Sequence, residues 1–115
     1  MQKNICMNWI PLTEIDQLDQ IKTSSFLTPQ VIFKHSTRCS ISSMALNRLE
    51  RDTAPSNANF YYLDLIKYRS ISNAIAEIFS VFHESPQILV IKNGECIYDE
   101  SHQGISMNEI AEQVD

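Results

Sequence analysis

The order of apolar and polar residues along the chain switches repeatedly between the spacing of strands and the spacing of helices. Three short runs rich in β-branched and aromatic residues, 31–35, 60–66 and 87–91, are typical of buried strands. Between these runs apolar residues recur every three or four positions, as in helices that pack one face against a sheet. The pattern predicts the order strand, helix, strand, helix, strand, helix, strand, strand, helix, with a weak opening strand at residues 8–12.

Capping residues set the expected starts of the helices. Thr13 and Asp16 form a box-like pair at the start of the first helix, and Ser70 is the expected cap of the third. Ser106 and Glu109 form a second capping box before the terminal helix. The apolar face of the third helix is expected to consist of Ile71, Ile75, Ile78, Phe79 and Phe82.

The connections between these elements predict a mixed sheet. A helix between two strands implies a right-handed crossover and a parallel pair. Asn93-Gly94 is a strong signal for a tight hairpin, which adds the antiparallel strand 95–100. The expected fold is therefore α/β, with a mixed central sheet flanked by helices on both faces, in the order of the thioredoxin-like folds.

Composition narrows the classes of function. With 115 residues, 43% of them hydrophobic, the chain fits a single domain over residues 1–115 with one ordinary core. Its net charge of −5 argues against nucleic-acid partners, and its scattered Lys and Arg residues argue against binding to a membrane surface. Because neither a long apolar run nor a targeting segment is visible, a cytoplasmic location is expected.

The three cysteines, Cys6, Cys39 and Cys96, are too few and too widely spaced for a disulfide scaffold. Cys39 lies where a predicted strand ends and a helix begins, which in an open α/β sheet is the edge that binds ligands. The free N–H groups and dipole of the helix favour a thiolate there, so its pKa is expected below the ~8.5 of free cysteine. Arg38 and His35 are candidates for added positive charge. Cys6 and Cys96 have no helix terminus beside them and are expected to be inert.

Two further positions bear on the chemistry of this thiol. Ser42 stands where a Cys-x-x-Cys redox motif has its second cysteine. Its hydroxyl is able to donate a hydrogen bond to a thiolate but cannot resolve a mixed disulfide; the alternative is an exposed serine in the first helical turn. Pro86 precedes the third main strand, where thioredoxin-like folds carry a cis proline, and Ser85 before it would offer its backbone to an extended thiol substrate.

Other cysteine chemistries fit the sequence less well. Ala45 stands where a phosphatase loop requires arginine. No spacing rule supports a Cys-His hydrolase that uses His83 or His102. A metal site would depend on His35 and Cys39 with one distant ligand, so neither a metal nor another bound cofactor is expected.

The segment 31–45, with Lys-His-Ser-Thr-Arg-Cys-Ser-Ile-Ser at its centre, resembles the active-site stretch of the monothiol bacilliredoxins. These are redox proteins of the bacillithiol system, often called general stress proteins. The resemblance continues in the same order through Ser85-Pro86-Gln87, Ile91-Lys-Asn-Gly94, Ser101-His102 and Ile105-Ser106, and so covers nearly the whole chain.

The resemblance implies a thioredoxin-like fold in which Cys39 is the nucleophile, Ser42 stands at the resolving position and Pro86 is the cis proline. It further implies that the protein removes bacillithiol, a low-molecular-weight thiol, from proteins that carry it as a mixed disulfide. The partners it implies are S-thiolated client proteins and a small thiol as co-substrate.

Two residues depart from the family pattern. Ser40 replaces the proline that usually follows the cysteine, which restores a backbone donor near the thiolate and leaves the redox potential open. Gln103 replaces an aromatic residue often found after Ser101-His102, which leaves the substrate contacts on that side open.

Two other functions stay open at this point. One is a glutaredoxin-like exchanger that uses another small thiol, because no feature of the sequence indicates how the part of the small thiol beyond its sulfur is recognised. The other is a non-catalytic thioredoxin-fold module that binds an extended peptide or uses Cys39 as a redox sensor. An iron–sulfur role is weaker, since one cysteine per chain would need a small thiol and a dimer.

Overall fold

The computed structural model describes residues 7–115, so Cys6 lies outside the described residues. Five strands and four helices follow in the predicted order, with a 3₁₀ helix before the last α-helix. The strands are β1 (Ile10–Pro11), β2 (Gln30–His35), β3 (Asn59–Asp64), β4 (Gln87–Lys92) and β5 (Glu95–Ser101). The helices are α1 (Asp16–Ser24), α2 (Ser40–Arg51), α3 (Arg69–Ile78) and α4 (Met107–Val114), and the 3₁₀ helix is His102–Gly104. Within residues 7–115, no helix is long and apolar enough to span a membrane.

The strands form one sheet in the order β1-β3-β2-β4-β5. β1, β3 and β2 run parallel, whereas β4 is antiparallel to both β2 and β5. His35 at the end of β2 pairs with Asp64 of β3, and Lys34 pairs with Gln87 at the start of β4. The carboxyl ends of β2 and β3 and the amino end of β4 therefore share one edge of the sheet, called the site edge below.

Both faces of the sheet are covered, which explains why the central strands are apolar at consecutive positions. On one face α2 and α4 pack over Val31, Phe33 and Val90. On the other face α1 and α3 pack over Ile32 and Leu89. The expected mixed sheet with helices on both faces is confirmed.

The start of α1 differs from the expected capping box. The helix begins at Asp16, and within the described residues no side chain forms a cap hydrogen bond at its N-cap residue, Ile15. The Oε1 atom of Gln17 accepts from the backbone N–H groups of Thr13 and Glu14 at 2.8 and 2.9 Å. The Thr13–Asp16 box is therefore wrong, because a longer side chain reaches back from inside the helix to these donors.

The start and the end of α3 also differ from expectation. The helix begins at Arg69, so Ser70 lies inside its first turn, and within the described part of the chain no side chain caps this helix. The chain leaves the helix after Ile78, and Phe79 is the last buried residue of its apolar face. Ile78 and Phe82 were expected on that face but are 42% and 92% exposed, because the chain turns away from the sheet there.

The terminal capping box and the hairpin are confirmed. The Oγ atom of Ser106 accepts from the N–H group of Glu109 at 3.2 Å, which opens α4. Asn93 and Gly94 both have positive φ, 53° and 81°, as the tight hairpin turn requires. A Cβ atom at Gly94 would lie 2.9 Å from the ring of Phe26, so glycine also permits this close approach.

Candidate functional site

Cys39 is the N-cap residue of α2 and lies at the site edge, directly after the turn that leaves β2. Its backbone is extended, with φ −114° and ψ 122°. Its N–H group donates to the carbonyl of Ser36 at 3.2 Å, and its carbonyl accepts from Ser43 at 3.0 Å. The thiol is partly exposed and stands at the positive end of a twelve-residue helix, where it can meet a substrate.

Ser42 is fully buried one turn into α2. Its Oγ atom accepts from the N–H group of Ser36 at 3.0 Å and lies 2.7 Å from Nδ1 of His35. The alternative of an exposed serine is therefore wrong. The hydroxyl faces the end of β2, so its hydrogen bonds join α2 to the turn that carries Cys39.

His35 is buried at the end of β2 on the α2 face of the sheet. Its ring stacks on Phe33 at 5.7 Å between centroids and lies 5.5 Å from the ring of Tyr62. Burial lowers the pKa of His35, although the nearby charges of Asp64 and Glu50 oppose the shift. The neutral imidazole therefore predominates at neutral pH.

The other predicted residues around the thiol lie on the surface. Arg38 and Ser40 flank Cys39 in sequence, and both are exposed. Arg38 belongs to the turn that precedes α2, whereas Ser40 is the first residue of that helix. Of the two residues expected to add positive charge near Cys39, Arg38 is the one that is charged at neutral pH.

The Ser85-Pro86 segment forms a second side of the site. The peptide bond between these residues is cis, as predicted. Because Lys34 pairs with Gln87, Pro86 continues β4 beyond that pair and lies next to His35 at the site edge. The sheet register therefore brings the predicted substrate-binding segment to the end of the strand that leads to Cys39.

A third side comes from the 3₁₀ helix after β5, whose substrate contacts the sequence analysis left open. The N–H group of His102 donates to the carbonyl of Pro86 at 3.2 Å. The carbonyl of His102 accepts from Nη2 of Arg48 at 2.9 Å, and Arg48 also donates to the carbonyl of Ile105 at 3.2 and 3.1 Å. Arg48 thus ties α2 to this turn, and no local sequence signal indicates a contact across more than fifty residues.

Lys34 was also missed, although it lies within the motif. Its residue exposure is 0%, and its Nζ atom has no hydrogen-bond partner within residues 7–115. The hydroxyl of Ser85 is the other buried side-chain polar atom that lacks a partner in the described part of the chain. Burial lowers the pKa of Lys34 to about 8, against the opposing charge of Glu84.

Cys96 lies at the opposite end of the sheet from the site edge. It pairs with Ile91, which in turn pairs with Gln30 at the start of β2. Its thiol donates to the carbonyl of Tyr98 at 3.3 Å, and burial raises the pKa of Cys96 to about 11. The thiol is therefore protonated at neutral pH. Among residues 7–115, no group of three or more His, Cys, Asp or Glu side chains is arranged to hold a metal ion.

Comparison with known proteins agrees with this arrangement. The model of the monothiol bacilliredoxin BrxC family matches residues 10–110. A solved structure with a thioredoxin fold, proposed to be an oxidoreductase, is 32% identical, with a TM-score of 0.75 and coverage of 92% of this chain and 93% of that one. Thioredoxin from Malassezia sympodialis is 19% identical, with a TM-score of 0.72 and coverage of 99% and 94%. Oxidised thioredoxin from Plasmodium falciparum is 13% identical, with a TM-score of 0.72 and coverage of 94% and 100%.

Proposed function

Because the chain belongs to the monothiol bacilliredoxin family, we propose that it removes bacillithiol from cytoplasmic client proteins that carry it as a mixed disulfide. Cys39 is the nucleophile in this proposal. The observation that carries it is the position of Cys39, a partly exposed thiol at the start of α2, with buried Ser42 where a second thiol would stand.

The reaction is an exchange of disulfides. The thiolate of Cys39 attacks the sulfur of bacillithiol in the client's mixed disulfide, and a new disulfide forms between Cys39 and bacillithiol. The bond between bacillithiol and the client breaks, and the client leaves as a thiolate that takes a proton from solvent. A second small thiol then attacks the bacillithiol sulfur, which releases Cys39 as a thiolate and forms a small-molecule disulfide. Each step exchanges one disulfide for another, so neither step needs an external oxidant or a bound cofactor.

Resolution by a small thiol, rather than by Cys96, is supported by the position of Cys96 in the sheet. Cys96 is level with the start of β2, whereas Cys39 follows its end. A strand rises about 3.3 Å per residue, so the five residue steps from Gln30 to His35 separate these levels by roughly 16 Å. A disulfide requires Cα atoms within about 7 Å, so Cys96 cannot reach Cys39 without a large rearrangement.

Intact-mass spectrometry of the reduced protein, mixed with a client that carries bacillithiol, tests the proposal. One bacillithiol adduct should move to Cys39, and Cys39→Ala should abolish the transfer. Cys96→Ser is the matched control and should transfer at the wild-type rate. A client that keeps its adduct in the presence of the reduced wild-type protein contradicts the exchange function.

The same assay separates the proposal from its alternatives. A client that carries glutathione in place of bacillithiol should transfer its adduct more slowly; faster transfer would indicate a glutaredoxin-like exchanger. If Cys39 accepts neither adduct, the result favours a non-catalytic binding or sensing module over an exchange enzyme.

A further inference from the structure

The solvent-facing side of α2 carries a stripe of apolar and cationic residues that starts beside Cys39. The stripe, called the α2 stripe below, consists of Ile41, Met44, Arg48 and Arg51, whose spacings of three, four and three residues place them on one side of the helix. Ile41 and Met44 are 49% and 62% exposed, and Arg51 is exposed as well. An open groove of about 270 Å³ follows the distal part of the stripe and is lined by Met44, Asn47, Arg48 and Arg51.

The groove lies within reach of a chain segment that is bound at Cys39. An α-helix rises about 1.5 Å per residue, so Arg48 and Arg51 lie roughly 14 and 18 Å from Cys39 along the axis of α2. Arg48 donates to the carbonyl of His102 at 2.9 Å, and the N–H group of His102 donates to the carbonyl of Pro86 at 3.2 Å. One wall of the groove is therefore hydrogen-bonded to the 3₁₀ helix and, through it, to the substrate side of the site.

Positive charge is concentrated on α2, although the net charge of the chain is −5. Three of the four arginines, Arg38, Arg48 and Arg51, lie on this helix or in the turn before it. The one carboxylate of α2, Glu50, accepts from the indole N–H group of Trp9 at 2.8 Å. Among residues 7–115, none of the three arginines forms an ion pair. Their guanidinium groups are therefore available to carboxylates of another molecule.

We propose that the α2 stripe binds the segment of the client protein that flanks the modified cysteine, and that it favours acidic segments. Arginine supplies the charge complementarity, and methionine adapts its shape to different partners; both residues are enriched at protein interfaces. An extended segment spans about 3.3 Å per residue, so Arg48 and Arg51 would meet carboxylates roughly four to six residues from the modified cysteine. The proposal depends on the exchange function, which brings the mixed disulfide of the client to Cys39.

Single-turnover transfer of bacillithiol to Cys39 tests this preference. Three client peptides carry bacillithiol on their one cysteine: one has glutamates about four to six residues before it, one has them after it, and one has glutamines at both places. Wild-type protein should react with one of the glutamate peptides about threefold to fivefold faster than with the glutamine peptide, as expected for one or two exposed ion pairs. The difference should disappear at about 1 M salt, where charges are screened beyond roughly 3 Å.

Variants in the last turn of α2 assign the preference to the stripe. Arg51→Gln should reduce the ratio of the two rates toward one, and Arg51→Glu should favour the glutamine peptide, whereas Arg51→Lys should retain the ratio. Arg51 is chosen over Arg48 because Arg48 also holds the 3₁₀ helix. The matched control is Lys22→Gln, which removes an exposed cation from α1 on the other face of the sheet and should keep the wild-type ratio. Equal rates for all three peptides in the wild type, or an unchanged ratio in Arg51→Glu, would overturn the proposal.

Binding of peptides that cannot react tests the stripe independently of exchange. The same peptides are made with serine in place of the cysteine, and the methyl signal of Met44 is followed by NMR spectroscopy. At least one glutamate peptide should shift this signal in a saturable way. The glutamine peptide should not shift it, and the shift should be absent in Arg51→Glu.

The two measurements separate the stripe from the exchange function. If Cys39 accepts no adduct but a glutamate peptide still shifts Met44, the exchange function fails and the docking surface stands. If all adducts are transferred at equal rates and Met44 is unchanged, the docking surface fails and the exchange function stands. A Met44 signal that shifts with the concentration of the protein alone would assign the stripe to a second copy of this chain and overturn its assignment to clients.

Discussion

Burial determines the protonation of two neighbouring residues at the end of β2. His35 and Lys34 point to opposite faces of the sheet, and each is almost fully covered. Burial lowers the pKa of both side chains, because a charged group loses its hydration there. The strand that leads to Cys39 thus carries a neutral imidazole on one face and an amine that loses its proton easily on the other.

The first prediction concerns the pH dependence that His35 imposes. Its pKa in the folded protein lies below its ordinary value of 6.5, so the unfolded chain binds a proton first as the pH falls. The free energy of unfolding should therefore decrease from pH 7 toward pH 5.5. Urea titrations should show a weaker decrease for His35→Gln than for the wild type. Identical slopes for wild type and His35→Gln would contradict the prediction.

The second prediction concerns the loss of stability that the buried charge of Lys34 causes. Its pKa is about 8 in the folded protein and 10.5 for the ordinary side chain, so the unfolded chain binds more protons between these values. Stability should therefore rise with pH across this interval in the wild type, and this rise should be absent in Lys34→Met. At pH 7 the same substitution should increase the free energy of unfolding by on the order of 1 kcal/mol, since it removes a buried charge. Lys67→Met, on the surface, should change it little; a destabilised Lys34→Met would mean that the amine makes a favourable contact.

The third prediction separates the two described cysteines by reactivity. Because Cys96 has a pKa of about 11 and donates its hydrogen to Tyr98, its thiolate is scarce at pH 7.5. Iodoacetamide should therefore modify Cys39 in the folded protein and Cys96 only after unfolding. Peptide mapping by mass spectrometry measures this order, and equal labelling of both thiols in the folded state would refute it.

At the scale of elements, the fourth prediction compares two serines that were both expected from the sequence to cap a helix. Ser106 caps α4 through the N–H group of Glu109, whereas Ser70 lies inside the first turn of α3. Ser106→Ala should reduce the free energy of unfolding by about 1 kcal/mol. Ser70→Ala should leave it unchanged or raise it slightly, because alanine is a better helix former than serine. Equal losses in the two variants, measured by chemical denaturation, would contradict the structural difference.

The strands and the hairpin were predictable because their signals are local. Residues 31–33 and 88–91 are apolar at consecutive positions since both faces of the sheet are covered. Asn93-Gly94 sets its own turn through positive φ. The start of α1 and the end of α3 were not predictable, because Gln17 binds the backbone that precedes α1 in place of the expected capping box, and α3 stops where the chain leaves the sheet.

The residues of the site also divide into those that local signals predict and those that they do not. Cys39, Ser42 and Pro86 were predictable from their positions relative to strand and helix. Lys34 and Arg48 were not, because their surroundings come from chain segments some fifty residues away. The consecutive apolar residues of β2 favour another apolar residue at position 34, so sequence pattern alone cannot explain the amine of Lys34.

At the scale of the whole molecule, the fifth prediction concerns cooperativity. The ring centroid of Trp9 lies 5.7 Å from that of Phe33 and 5.8 Å from that of Tyr62. Its Nε1–H group donates to Oε2 of Glu50 in α2 at 2.8 Å. Its fluorescence therefore reports on three elements at once. If residues 1–115 form a single domain, unfolding followed by Trp9 fluorescence and by far-ultraviolet circular dichroism should give the same midpoint. Midpoints that differ would indicate parts that unfold separately.

The buried hydroxyl of Ser42 has an evolutionary consequence. A second thiol at this position would turn the motif into a dithiol, yet the change is more than a replacement of oxygen by sulfur. Sulfur is a weak acceptor, so the N–H group of Ser36 and the ring of His35 would both lose their partner at 3.0 and 2.7 Å. A lineage that gained the second cysteine would have to rebuild the end of β2 as well. A serine at this position is thus part of the packing between α2 and β2, and a single Ser42→Cys mutation would leave both of its partners without an equivalent hydrogen bond.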